Sequence, residues 1–81
     1  MSGGTINLYS IYEEGFVATG ESAQAHYIGS ATGVDFIDAC RNFIAKTGRG
    51  EIRKDTNGNE YACDWGCRWF PTLSEAQRSF G

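Results

Sequence analysis

Residues 61–69 constrain the fold more than any other stretch of the chain. Tyr61, Cys63, Trp65, Cys67 and Trp69 alternate with Ala62, Asp64, Gly66 and Arg68. Period two is the repeat of an extended strand, whose side chains point to opposite faces in turn. The spacing predicts one strand over 61–69 with an aromatic and sulfur face turned inward. That face needs an apolar surface to lie against. Gly66 marks a bulge or a close backbone approach, and Pro71 ends the strand.

The partner surface is legible upstream. Phe36, Ile37, Cys40, Phe43 and Ile44 recur at helical spacing and form one apolar stripe. Asp35 is a good N-cap, Asp38 resembles the other half of a capping box, and both suit the positive end of the helix dipole. Gly48 fits the left-handed residue that closes many helices. Residues 51–56 read as a strand, and Asn57-Gly58 reads as a two-residue hairpin turn. That loop would set Thr56 opposite Asn59 and Ile52 opposite Cys63. Thr72-Leu73-Ser74-Glu75 matches a capping box, with Leu73, Ala76 and Phe80 on one side of a short terminal helix. Near the start, 5–12, 16–19 and 25–29 read as strands, with turns at Glu13-Glu14-Gly15 and Gly20-Glu21-Ser22. The expected fold class is α+β: an antiparallel sheet of four or five strands, one main helix packed on it and a short C-terminal helix, in the order β-β-β-α-β-β-α. At 81 residues it is a single domain, 1–81.

So short a chain buries only about 60% of its unfolded surface. Five Phe, four Tyr and two Trp supply large buried areas per residue. The net charge of −3 is mildly acidic, and Arg49, Arg53 and Lys54 are the tightest basic cluster. Nucleic-acid binding, which rests on clustered Lys and Arg, is not expected. No stretch reaches the ~20 apolar residues of a membrane-spanning helix. The first residues have neither a basic region nor an apolar run, so no secretory signal is read there. With three Cys, free thiols in a reducing cytoplasm are expected.

The sequence offers four candidate reactive arrangements. Cys63-x3-Cys67, with Cys40 and His26, has zinc-like spacing. On one continuous strand, however, residues four apart are separated by ~13 Å, too far to share an ion or a disulfide. Only a tight turn at Trp65-Gly66 would change that. Asp55-Thr56-Asn57-Gly58-Asn59 begins like a calcium loop, but its sixth and twelfth positions are Glu60 and Gly66 rather than Gly and Glu. His26 and a cysteine lack an orienting third group for nucleophilic catalysis. Glu13 and Glu14 are strand neighbours and so point to opposite faces; they read as a solvated turn. No glycine run matches a phosphate loop. No catalytic residue, metal or cofactor is expected.

Several short blocks carry a resemblance. They are Phe16-x-Ala18-Thr19-Gly20, Ala25-x-Tyr27-x-Gly29, Phe36-x-x-Ala39-Cys40, Trp65-Gly66-Cys67-Arg68-x-Phe70 and Glu75-Ala76-x-x-Ser79-Phe80-Gly81. In this order they resemble a family of small proteins from bacterial phages and mobile elements. The resemblance implies a bacterial cytoplasm and a phage gene, and brings no activity or assigned site. It leaves a non-enzymatic protein-binding module, acting on a host protein, as the leading expectation. Glu13, Glu14, Glu21, His26, Arg49, Arg53 and Arg68 are its candidate contact residues. A self-associating protein, pairing as a homodimer through an edge such as residues 5–12, is the alternative. A small zinc protein ranks behind both.

Overall fold

The computed structural model describes residues 5–18 and 21–80, without the side chains of 16–18, 21–23, 79 and 80. Its elements are β1 (Asn7–Glu13), β2 (Phe16–Ala18), β3 (Glu21–Ala23), β4 (His26–Gly33), α1 (Phe36–Thr47), β5 (Glu51–Lys54), β6 (Glu60–Asp64), β7 (Cys67–Phe70) and α2 (Leu73–Phe80). The fold is α+β. Five strands form an antiparallel sheet in the order β4-β1-β7-β6-β5, and β2 and β3 form a separate two-stranded ribbon.

α1 forms where the stripe predicts. Asp35 Oδ1 accepts the Asp38 N–H at 2.8 Å, and Asp38 Oδ2 accepts the Val34 N–H at 3.0 Å. Gly48 closes the helix at φ 73°, its N–H donating to the Ile44 carbonyl. One helix face buries Ala39, Cys40 and Phe43 against Ile11, Ala31, Ala62 and Trp69. Phe43 and Trp69 meet edge to face at 5.4 Å. Close packing is built on glycines such as Gly33 and Gly50. A Cβ on Gly33 would overlap the Ala39 backbone, and one on Gly50 (φ 89°) would overlap the Trp69 ring. α2 starts at the expected cap, with the Glu75 N–H donating to Thr72 Oγ1 at 3.2 Å, and it packs on β7, β1 and β4.

Residues 61–69 are not one strand. Trp65 (φ 55°) and Gly66 (φ 82°) form a two-residue turn, so β6 and β7 fold into a hairpin with Asp64 opposite Cys67 and Cys63 opposite Arg68. Positive φ at both central residues is the type I′ signature, which matches the twist of paired strands. The alternation is therefore inverted across the turn. Ala62 and Trp69 share the α1 side, while Cys63 leaves it and Trp65 faces solvent, 95% exposed.

The loop at Asn57-Gly58 is wider than two residues. Asp55 Oδ1 accepts the N–H groups of Asn57 and Asn59 at 2.8 and 3.0 Å, and only Gly58 takes positive φ there. The register becomes Ile52 opposite Ala62, one residue off the expectation, which moves every side chain of the hairpin to the other face. Ile52 thereby reaches the core and Cys63 meets Glu51.

Residues 5–12 are not a simple edge. β1 lies inside the sheet, between β4 and β7, but β7 pairs it only at Tyr12 and Glu13. Pro71 then stops the ladder, because it has no N–H to give. Glu21 and Ser22, expected within the turn Gly20-Glu21-Ser22, lie instead in β3, opposite β2; Gly20 is outside the described residues.

Candidate functional site

The end of the sheet that carries the β6–β7 turn gathers most of the charged candidates. Glu13 lies in β1 opposite His26 and Trp69, so all three project from one face. Its carboxylate is only 13% exposed. It accepts the Trp69 indole N–H at 3.2 Å and lies 3.7 Å from His26 Nε2 and 4.0 Å from Arg49 Nη2. Arg49, in the loop between α1 and β5, donates from Nε and Nη2 to Asp64 Oδ2 at 3.2 and 2.9 Å. The charged-group bonds tie the base of the turn to the end of β1. His26 Nδ1 is satisfied by the Gln24 carbonyl at 3.0 Å.

The structure thus brings Glu13, His26 and Arg49 together. Glu13 and Glu14 are not a solvated turn: Glu14 accepts the backbone N–H of Arg68 at 2.8 Å, and Glu14 N–H donates to the Arg68 carbonyl. Arg68 lies over the Tyr61 ring at 4.4 Å, and Arg53 pairs with Glu51 at 2.6 Å, away from the first group. The Glu21 side chain lies outside the described residues, and its backbone pairs with Ala18.

The thiols are held neutral. Burial, then the Asp35 charge, pushes Cys40 up to about 12. Burial also raises Cys63 and Cys67, and Glu13, Glu14 and Asp64 raise Cys67 further. A raised thiol is a poor nucleophile at neutral pH. The turn at Trp65-Gly66 removes the distance argument against a shared ion at Cys63 and Cys67. Facing replaces it: Cys63 sits opposite Arg68 and Cys67 opposite Asp64, on opposite sides of the hairpin. Among the described residues no three His, Cys, Asp or Glu groups converge as a metal site, and none of their helices is long and apolar enough to cross a membrane.

Sequence reasoning missed Trp65 and Asp64. The one available signal was Gly66, since glycine favours the second central position of a type I′ turn. The strength of the alternation overrode it. Compared with protein-family models, curated proteins and solved structures, the chain finds no match in any of the three.

Proposed function

We propose that this chain is a non-enzymatic protein-binding module, phage-encoded and acting on a host protein in the bacterial cytoplasm, whose contact centre is the Trp65 tip. The observation that carries the reading is an indole 95% exposed at the end of a braced hairpin. Leaving so large an apolar ring in water forgoes ~1.5–3 kcal/mol of burial. Trp is also the residue type most enriched among binding hot spots. Its left-handed φ adds a further conformational cost. The Arg49–Asp64 bonds and the Glu14–Arg68 bonds hold the tip in place before contact, which reduces the ordering cost of binding.

The neighbouring charges favour an apolar socket over a charged one. Arg49 is spent on Asp64, Arg53 on Glu51, and Arg68 on the Tyr61 ring. A net charge of −3 opposes anionic lipid and nucleic-acid phosphate alike. Glu13, Glu14, His26, Arg49 and Arg68 lie at the same end of the sheet as the tip, on its two faces, and are the candidate polar rim.

The test is capture from host lysate with the full chain and with Trp65→Ala, followed by affinity measurement on whatever is retained. A protein held by the parent and weakened about 30-fold or more by Trp65→Ala is the expected result. Equal retention by both chains, or turnover of a substrate with no partner, refutes the reading.

A further inference from the structure

The five-stranded sheet has two outer strands, and both are blunted. On β4, the Ser30 and Thr32 carbonyls are occupied by α1, with Lys46 Nζ at 3.2 Å and Asn42 Nδ2 at 2.7 Å. β5 is four residues long, and its Glu51 and Arg53 pair with each other. Short, charged or capped edges are the usual protection against strand addition.

The first half of β1 has no such protection. Ser30 and Thr32 direct their carbonyls away from β1, so their partners Ser10 and Leu8 are non-hydrogen-bonded pairs. The N–H and C=O of Leu8 and Ser10 therefore point to the other side, the side β7 occupies further along. Glu14 confirms the parity, since its N–H reaches Arg68 of β7. On the Leu8 side of Tyr12 no described strand lies there, because β7 stops at Phe70. Among the described residues Leu8 and Ser10 pair only with β4, and no strand pairs with them on that side. Leu8 is 71% exposed and Ile6 61%. Unlike the β5 edge, residues 5–12 carry no charge.

We infer that two copies of this chain pair through these half-edges, antiparallel across a two-fold axis. Self-complementarity favours a second copy as the occupant: the free groups at Leu8 and Ser10 match themselves about a two-fold axis, and a neutral strand meets itself without like-charge contact. The free groups select the register. Setting Leu8 opposite its own copy places Ser10 opposite Ile6 of the partner subunit, uses the main chain of all three residues, and stacks the exposed aliphatic side chains on one face. Tyr12, already paired with Phe70, stays outside the contact. The two sheets become continuous, and both Trp65 tips stay free.

Sedimentation equilibrium of the full chain over roughly 10–500 μM tests this by mass action. The expected result is a monomer–dimer equilibrium that Leu8→Arg shifts at least 10-fold toward monomer, with unchanged circular dichroism. Ile6→Arg, outside the β1 ladder, should do the same and serves if Leu8→Arg fails to fold. Trp65→Ala should leave the equilibrium unchanged, which separates this contact from the tip. A parent chain that stays monomeric throughout, or a dimer indifferent to a folded Leu8→Arg or Ile6→Arg chain, overturns the inference. So would a dimer that Trp65→Ala dissolves.

Discussion

Two tryptophans four positions apart take opposite roles because a single turn separates them. Trp69 is buried against Phe43, its N–H spent on Glu13; Trp65 is in water. Composition treats them alike, and alternation assigns them to one face. Only the backbone conformation at Trp65 and Gly66 tells them apart. Cys40 is the opposite case, a side chain that sequence placed well. It lies on the apolar stripe and is fully buried. Its thiol rises from an ordinary 9.0 to about 12. Between those values the unfolded chain has lost this proton and the folded chain retains it, so stability falls as pH rises. The thiol's contribution is fully present below pH 9.0 and is lost on passing through about 12. Cys40→Ala should remove that part of the alkaline loss in urea titrations between pH 8 and 11, at the cost of a small cavity of ~1 kcal/mol. Parallel pH profiles for the parent and Cys40→Ala would contradict the assignment.

Elements were legible wherever the signal was local. The α1 caps at Asp35 and Gly48 and the α2 cap at Thr72 and Glu75 stand where single residues put them, because a cap is an interaction across three or four positions. Hairpin registers were not legible. Asn57-Gly58 announces a turn, but Asp55 reaches two N–H groups and widens it by one residue. Trp65-Gly66 announces little, since Trp is a poor occupant of a left-handed position. That mismatch is testable. Trp65→Gly should leave stability unchanged or raise it by about 1 kcal/mol in urea unfolding, because the turn gains a residue suited to positive φ and loses no buried contact. A loss of 2 kcal/mol or more would mean the indole packs on the fold.

At the scale of the molecule, the α+β class followed from one amphipathic helix among alternating strands. The strand order and the ribbon of β2 and β3 did not, because they depend on which strands meet across long stretches of chain. The proposed contact surface was half legible. Glu13, His26 and Arg49 were named for their charge and do converge, yet the feature they brace was read as core. The described residues form a sheet with its α1 side closed, an aromatic tip held out at one end, and an uncharged half-edge of β1 that no described strand pairs. The proposed function stands on the tip being in water while its neighbour four residues on is not. Hydrogen exchange of the two indole N–H groups by ¹⁵N-edited NMR tests that directly. The expected spectrum has one rapidly exchanging indole, removed by Trp65→Phe, and one protected indole, bonded to Glu13. Two protected indoles would restore the continuous strand and contradict an exposed tip.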